Sequence, residues 1–543
     1  MAPDPALRAR VSRVRRAWLL FACTAVVICI LLPWLSRNYG MTWDEQARFQ
    51  EGTRVVSFYR GALRASDFQH ESRLYGLLFE VTANLVYQAF GGDLWMTRHR
   101  VNAAVGALGI VAAGLLAARV MTPLSGAAVM VLLLLSPRYV GDAMNNPKDI
   151  PFAAFCAVAL LAFSLVRGEF PFLSWTRAAV IGLALALPLN VRPGALLYLG
   201  YFGASVLVLL VRARAWSLRQ LIPVAGRVLV AGAVMLVAGC AFWPWALQNP
   251  FVRPFLALRD VAAFPWYGTT LFNGQSILAN RLPWSYLPTW MVITIPPVVL
   301  AGVLLSVAAA ANDARHRRLW TAGLWGVAAF PVLLAIVTRA TLYDGWRHLL
   351  FIYPPMVILA VAGWRFVLNQ ARFKAIRVVS VVLLAAGCVE PLLFVARNHP
   401  NEIVYFNAIV GGPRGAWGRF ELDYWGNSLL QATAWTAALA ERAGVPLCIS
   451  GVPYSVVRGD AARFGSIYSE WPHRLAHHIE VVLARGDRES LAKLAARTDA
   501  LHVITTADGA PLAYILPGPR MDTVRARITN ALQAAPRQET PGS

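Results

Sequence analysis

One stretch of the chain, "AWLLFACTAVVICILLPWLSRNYGMTWDEQARF" (residues 17–49), joins a long apolar run to two adjacent acids. A helix needs about 20 apolar residues to cross the hydrocarbon core of a bilayer, and residues 17–35 supply such a run. Arginines crowd the residues before it, and no small-x-small cleavage site follows it. The stretch therefore predicts an uncleaved signal anchor whose N-terminus lies in the cytoplasm.

The composition is that of a polytopic membrane protein. The 543 residues are 57% hydrophobic and only 14% charged, which is too apolar for an ordinary soluble protein. The formal net charge is +22, but the basic residues stand in short clusters between apolar runs. This pattern favours anionic membrane lipids as partners and argues against nucleic acid. Of the six cysteines only Cys448 lies outside an apolar run, and no CxxC spacing occurs, so neither a structural disulfide nor a zinc–cysteine site is expected.

Runs long enough to span a membrane recur along the chain. The run at 173–211 is too long for one span, and Arg192 with Pro193 divides it, because arginine is costly in lipid and proline ends a helix. A hairpin with Arg192 at its tip is expected there. We predict about 11 spans, near residues 17–36, 97–119, 123–141, 151–167, 173–190, 194–211, 221–243, 289–310, 320–338, 349–368 and 376–396.

The basic loops set the orientation of these spans. With the N-terminus inside, the clusters at 212–219, 313–318 and 369–377 all fall inside, as the positive-inside rule requires. Residues 74–90 are expected to form an outer juxtamembrane or re-entrant helix, because a full span there would invert every later loop. With this orientation Arg98 and Arg100 lie on the outer side, which is an exception to the rule, so a local interaction has to account for these two residues.

The fold expected is therefore mainly α: a polytopic membrane protein with about 11 transmembrane helices and a small C-terminal α/β domain outside the cytoplasm. After residue 396, short β-rich runs alternate with a Leu/Ala-rich helical pattern. The predicted domains are a cytoplasmic basic N-terminus (1–16), a transmembrane domain (17–396, with its first outer loop at 37–96), an extracytoplasmic domain (397–535) and a disordered tail (536–543).

Four outer groups combine acids and cations at the ends of spans. They are Asp44 with Glu45, Lys148 with Asp149, Arg192, and Arg347 with His348. Taken singly, each fits a solvated loop, a helix cap or a side chain that reaches for lipid headgroups. Together they suit transfer from a lipid phosphate, since arginine binds phosphate with two donors and a carboxylate can deprotonate an attacking hydroxyl. An acid pair can instead hold a divalent cation that neutralises the leaving phosphate.

In their order along the chain and their place on the outer side of the membrane, these features resemble the GT-C glycosyltransferases of family 39, the protein-mannosyltransferase and aminoarabinose-transferase type. The likeness covers roughly residues 17–370 and rests on the "DE" after span one, the outer amphipathic segment, "NPKDIPFA" (146–153), the arginine at a hairpin tip and "GWRHLLFIYPP" (345–355). The sequence departs from the family at "NPKD", where relatives often carry a different acidic motif.

The resemblance implies a GT-C fold in a bacterial inner membrane, with the C-terminal domain in the periplasm. It implies an inverting transfer from a polyprenyl-phosphate sugar donor to a lipid, glycan or protein acceptor on the outer face. Carried onto this chain, it makes Asp44 the catalytic base with Glu45 as its partner, and Asp149 the second acid. The donor phosphate would be bound by Arg192, Arg347, His348 and Lys148.

The start of the C-terminal domain carries a dense group of polar and aromatic side chains. Tyr405, Asn407, Asp423, Tyr424 and Trp425 could form an acceptor or sugar surface, or could belong to a linker that packs onto the membrane domain. Two other functions stay open. A transporter or lipid flippase would use intramembrane acids such as Glu390, and a non-catalytic scaffold would tolerate changes in the acid pair.

Overall fold

The computed structural model describes residues 5–166, 173–214, 216–262, 266–312, 315–370, 374–469 and 477–533. The predicted tail at 536–543 lies outside these residues. The helices up to Asn398 are α1 (Pro5–Leu35), α2 (Glu45–Tyr59), α3 (Leu78–Phe90), α4 (Leu94–Val120), α5 (Pro123–Leu134), α6 (Pro137–Asn145), α7 (Asp149–Phe163), α8 (Trp175–Leu189), α9 (Leu196–Ala213), α10 (Leu218–Gly239), α11 (Pro244–Leu247), α12 (Arg253–Ala262), α13 (Tyr286–Thr294), α14 (Pro297–Asn312), α15 (Arg315–Val337), α16 (Tyr353–Gln370) and α17 (Lys374–Asn398).

Among the described residues, eight helices are long and apolar enough to cross a membrane, or up to ten if each of two bent pairs is one span. The bent pairs and the shorter apolar helix α8 fall on the remaining predicted spans. The multi-pass, mainly helical prediction is thus confirmed.

Two of the predicted spans are not single straight helices. The run predicted at 123–141 is the pair α5 and α6, which is bent by 74°, and the run predicted at 289–310 is the pair α13 and α14, bent by 116°. In each break the residue before a proline is extended: Ser136 before Pro137, and Ile295 before Pro296. Proline disfavours the helical conformation of the residue before it, so these helices end at the break.

The segment at 74–90, which is predicted to lie outside the membrane core, contains α3, which is shorter than a span. Its Glu80 is buried and accepts a hydrogen bond from Arg98 of α4, with 2.5 Å between Glu80 Oε2 and Arg98 Nη2. Arg98 Nη1 also donates to Asn84 Oδ1, at 3.3 Å. A buried charge is tolerated when it is paired and hydrogen-bonded, so this ion pair is the local reason for Arg98 at the start of a membrane helix.

The last part of the chain forms a five-stranded sheet in the order β4-β3-β5-β7-β6. Strand β3 pairs in parallel with β4 on one side and β5 on the other, and β7 pairs antiparallel with β5 and β6. The small C-terminal α/β domain is therefore confirmed. Its elements are α18 (Gly412–Ala416), α19 (Ser428–Ala443), β3 (Leu447–Val452), α20 (Tyr454–Ala461), β4 (Ile467–Tyr468), β5 (Ile479–Leu483), α21 (Arg488–Ala495), β6 (His502–Thr505), β7 (Pro511–Pro517) and α22 (Arg525–Gln533), and an earlier hairpin holds β1 (Thr269–Phe272) and β2 (Gln275–Leu278).

The chain divides into two compact units. The membrane unit holds residues 1–37, 47–269 and 278–396. The C-terminal unit holds residues 397–543 and two short segments from earlier in the chain, 38–46 and 270–277. The acid pair that follows span one therefore belongs to the C-terminal unit, although it lies within the loop that the sequence analysis assigns to the transmembrane domain.

Candidate functional site

Asp149 is the centre of a buried ionic cluster in the membrane unit. It is only 2% exposed, at the first residue of α7. One of its carboxylate oxygens accepts a hydrogen bond from Arg192. The other accepts from Arg347 Nη1 at 3.1 Å and from Asn146 Nδ2 at 2.9 Å. The structure thus brings together three of the predicted site residues that come from separate loops; we call this group the Asp149 cluster (Asn146, Asp149, Arg192, Arg347).

Local backbone chemistry fixes each member of the cluster. Asn146 Oδ1 accepts hydrogen bonds from the backbone N–H groups of Lys148, at 3.2 Å, and Asp149, at 2.9 Å, an arrangement that starts α7. The asparagine side chain thus makes an Asx turn at the start of α7. Arg192 stands in the turn between α8 and α9, immediately before the short helical turn Pro193–Ala195, as the hairpin prediction requires. Arg347 opens another such turn, Arg347–Ile352.

Arg347 is held from a second side by a residue that the sequence analysis missed. Its Nε donates to Asp344 Oδ2 at 3.2 Å, and Asp344 adopts a left-handed backbone conformation (φ 55°) just before Gly345. The guanidinium also lies 4.8 Å from the centre of the Tyr343 ring, which packs edge-on against His348. Two acids thus contact Arg347, and the aromatic ring links it to His348.

Lys148 faces an aromatic ring. Its Nζ lies 4.5 Å from the centre of the Tyr75 ring, and the guanidinium of Arg48 lies 5.5 Å from the same ring. Cations within about 6 Å of an aromatic centre are attracted by the ring. Lys148 and Arg48 are therefore two cations at one aromatic ring. No motif in the sequence indicates either Tyr75 or Arg48.

The two acids of the "DE" motif have different environments. Glu45 is 1% exposed, and its Oε2 accepts a hydrogen bond from the backbone N–H of Thr42 at 2.8 Å. This bond closes the turn from Thr42 to Glu45 that leads into α2, whose first residue is Glu45. Asp44 is half-buried. The pair is thus divided into a structural acid that fixes the turn before α2 and an acid that is partly open to solvent.

The five candidate acceptor residues pack inside the C-terminal unit. None is more than 6% exposed, and the group comprises Tyr405, Asn407, Asp423, Tyr424 and Trp425. Asp423 accepts hydrogen bonds from the backbone N–H groups of Gly426, Asn427 and Ser428, where α19 begins, at 2.8–2.9 Å. Burial nevertheless raises the pKa of Asp423 above its usual range. These contacts are those of a structural cap, and an acceptor surface at these residues stays a prediction.

The described residues contain no group of three or more His, Cys, Asp or Glu side chains arranged to hold a metal ion. A divalent cation therefore stays a prediction from the acid pair alone. The membership of Asp44 in one site with Asp149, Arg192 and Arg347 likewise stays a prediction, since these residues belong to different units.

No protein-family model matches the chain, and neither does any curated protein. Its structure is similar to that of ArnT from Cupriavidus metallidurans bound to undecaprenyl phosphate, at 16% identity and a TM-score of 0.47 over 92% of this chain and 97% of that one. It is similar to the Archaeoglobus fulgidus oligosaccharyltransferase AglB in complex with an inhibitory peptide and a dolichol-phosphate, at 13% identity and a TM-score of 0.46 over 87% of this chain and 70% of that one. The S. cerevisiae protein O-mannosyltransferase Pmt1–Pmt2 complex bound to the sugar donor is similar at 15% identity and a TM-score of 0.34. That likeness covers 49% of this chain and 40% of the other.

These neighbours are all GT-C glycosyltransferases, the type that the sequence resemblance indicates. Because the identities are this low, the function has to be inferred from the residues of the chain itself.

Proposed function

We propose that the protein is a membrane glycosyltransferase that moves a sugar from a polyprenyl-phosphate donor to an acceptor, with inversion, on the periplasmic face of a bacterial inner membrane. The observation that carries the proposal is the Asp149 cluster, in which two arginines from distant loops meet at one buried carboxylate beside membrane helices. Buried ionisable groups at the ends of membrane spans are costly and are usually kept for function.

The cluster has hydrogen-bonding capacity that Asp149 does not use. Arg192 Nε and His348 Nδ1 are both buried, and neither has a hydrogen-bond partner within the ranges that the structure describes. A buried donor without a partner costs about 1–3 kcal/mol, so such atoms usually mark a place where a ligand or water binds. Phosphate oxygens are suitable acceptors, because a guanidinium offers a planar fork of N–H donors that matches them. Arg192, Arg347 and His348 would hold the donor phosphate, and the nearby Lys148 would add positive charge.

Asp44 is assigned the role of base, because the Glu45 carboxylate is hydrogen-bonded to the Thr42 N–H and buried, whereas Asp44 is partly open to solvent. Its carboxylate would take the proton from the acceptor hydroxyl while that oxygen bonds to the anomeric carbon of the sugar. The bond from the anomeric carbon to the phosphate oxygen breaks in the same displacement, and its electrons stay on the polyprenyl phosphate. A single displacement of this kind inverts the anomeric centre. The arginines would stabilise the charge on the leaving phosphate.

The test is to supply the purified protein in lipid nanodiscs with a panel of synthetic polyprenyl-phosphate hexoses and pentoses, together with extracted envelope lipids as acceptors. The expected result is release of free polyprenyl phosphate with one donor class, dependent on acceptor and on Asp44. If no donor is consumed, and the same preparation in vesicles moves labelled lipid between leaflets, the proposal is wrong and the flippase interpretation replaces it.

A further inference from the structure

The segment that carries Asp44 is bound tightly to the rest of the C-terminal unit. We name residues 38–46 the acid segment, because Asp44 and Glu45 lie within it. Tyr39, Met41 and Thr42 are at most 1% exposed, although they stand in a connection between two helices. Connections normally run over the surface, so the burial of this one needs an explanation.

The first attachment is a hydrogen-bonded group at the start of the segment. The hydroxyl of Tyr39 donates to Glu402 Oε2, and Glu402 Oε1 lies 2.7 Å from His399 Nδ1. The other ring nitrogen of His399 lies 2.8 Å from the side-chain amide nitrogen of Asn38. Glu402 is fully buried, so its carboxylate depends on these partners for stabilisation. Two consecutive residues of the acid segment are thereby tied to the residues that follow α17.

The second attachment holds the backbone closer to Asp44. The N–H of Met41 donates to Asp460 Oδ1 at 3.1 Å, and Asp460, on α20, is fully buried. Arg463 Nη1 donates to the carbonyl oxygen of Tyr39 at 3.2 Å. At Gly40 the backbone approaches so closely that a Cβ would lie only 2.8 Å from Asp460 Oδ2 and 2.8 Å from Leu430 Cβ. Glycine is required here because any side chain would push the segment away from α20.

The third attachment reaches the residue beside Asp44. The guanidinium of Arg485 lies 5.7 Å from the ring centre of Trp43, and Arg485 Nη2 pairs with Glu421 Oε1 at 3.3 Å. The other oxygen of Glu421 accepts from Thr270 Oγ1 at 3.1 Å. On the far side of Asp44, Glu45 is fixed by its bond to Thr42. The residues on both sides of Asp44 are therefore held in place by contacts, and Asp44 itself is half-buried.

We propose that the C-terminal unit positions the base: Asp460 and Glu402 are positioning residues that hold the acid segment so that Asp44 meets the acceptor hydroxyl, an inference that rests on the proposed function. A general base must lie within about 3 Å of the proton it removes, and a misplacement of about 1 Å can cost on the order of 100-fold in rate. A segment without these attachments would spread Asp44 over many positions. The reaction therefore depends on residues that lie more than 350 positions away in the sequence, such as Asp460, which is 419 residues from Met41.

The experiment compares Asp460→Ala with Asp460→Asn in the full-length protein in nanodiscs. Alanine removes the acceptor of the Met41 N–H, whereas asparagine keeps one oxygen that can accept it. We expect Asp460→Ala to lower kcat on the order of 10–100-fold with the KM for the lipid donor unchanged, and Asp460→Asn to restore most of kcat. Tyr39→Phe, which removes only one hydroxyl, provides a milder second variant should Asp460→Ala fail to fold. Asp499→Ala is the control, because Asp499 forms an exposed ion pair with Arg497 in the same unit.

Hydrogen exchange of residues 38–46 supplies a measurement that does not depend on activity. The acid segment should exchange faster in Asp460→Ala and in Tyr39→Phe than in the wild type, and at the wild-type rate in Asp499→Ala. Unchanged exchange and unchanged kcat in both variants, with a wild type that is active and dependent on Asp44, would overturn the positioning role. A wild type without any transfer would overturn the proposed function instead, and the exchange data would still decide whether α20 holds the segment.

Discussion

The Asp149 cluster and the acid segment both place carboxylates in a fixed position, but they do so by different physical means. In the Asp149 cluster, side chains of opposite charge neutralise one another in a buried place beside membrane helices. Around the acid segment, the carboxylates of Glu45, Asp460 and Glu402 mainly accept hydrogen bonds from backbone N–H groups and from one hydroxyl. The cluster therefore depends on charge balance, whereas the segment depends on the presence of an acceptor oxygen.

This difference predicts opposite responses to conservative substitution. Removal of one charge from the cluster leaves another charge buried without compensation, which is strongly destabilising. Replacement of a carboxylate by an amide in the acid segment keeps an acceptor oxygen and costs much less. An exception is expected at Asp44, where the proposed chemistry needs the charge itself.

The largest effect is expected at that exception. Asp44→Asn should lower sugar transfer about 10²–10⁴-fold, because an amide cannot accept the proton of the acceptor hydroxyl. Glu45→Gln is the matched control: its amide oxygen can still accept the Thr42 N–H, so transfer should stay within about tenfold of the wild type. Both are measured as initial rates of polyprenyl phosphate release in nanodiscs. Equal losses in the two variants would show that the acids act as a pair.

Arg347→Ala should produce the next largest effect, on stability as well as activity. Arg347 is 6% exposed in its side chain and contacts both Asp149 and Asp344, so its loss leaves buried carboxylates short of positive charge. The expected cost is about 3–5 kcal/mol in the free energy of unfolding. Arg259→Ala, which breaks an exposed pair with Asp260, should cost less than about 1 kcal/mol. Denaturant titration in detergent gives both values.

A second substitution sharpens this measurement. Asp344→Asn added to Arg347→Ala removes one of the two carboxylates that Arg347 pairs with and leaves the Asp149–Arg192 pair intact, so it should recover part of the stability that Arg347→Ala loses. Activity should not recover, because the proposed phosphate site still lacks one arginine. Additive losses of stability would show that the two side chains do not interact as the structure indicates.

Much of the membrane unit could be predicted because its signals are local. Apolar runs of sufficient length mark the spans, and Pro193 beside Arg192 marks the break between α8 and α9. The basic loops placed Asp149, Arg192 and Arg347 on one side, and these three do meet. Glu80 was visible as an acid in an apolar helix, but its pairing with Arg98 needed the fold of α3 against α4.

The rest could not be predicted because it depends on contacts between distant parts of the chain or on competing interpretations of a short motif. Nothing near Met41 indicates that its N–H bonds to Asp460, and so nothing assigns residues 38–46 to the C-terminal unit. In "TWDE" the two acids are adjacent and suggest chemistry for both, and only the hydrogen bond from the Thr42 N–H identifies Glu45 as a structural residue.

Gly40→Ala tests the close packing of the acid segment and should have a smaller effect than Arg347→Ala. The added Cβ would lie 2.8 Å from both Asp460 Oδ2 and Leu430 Cβ, so either the segment or α20 has to move. Such overpacking costs about 1–3 kcal/mol. Gly465→Ala is the control, because its Cβ would meet no atom within 4 Å in the same unit. Thermal unfolding of the two variants should differ, and equal melting temperatures would show that the segment yields without cost.

The smallest effect is expected from the pH dependence of Asp423, which extends the comparison to a buried acid whose hydrogen-bond donors among the described residues are three backbone N–H groups and the Ser428 hydroxyl. Burial raises its pKa in the folded protein above the value of about 3.9 that applies to the unfolded chain. The folded state therefore holds this proton more strongly, and its contribution to stability is fully present below the unfolded pKa and is lost as the pH rises through the folded pKa. Asp423→Asn lacks the titration, so the melting temperature of the wild type should fall relative to that of the variant across this window. Parallel curves from pH 3 to pH 7 would show that the Ser428 hydroxyl and the three N–H donors offset the burial.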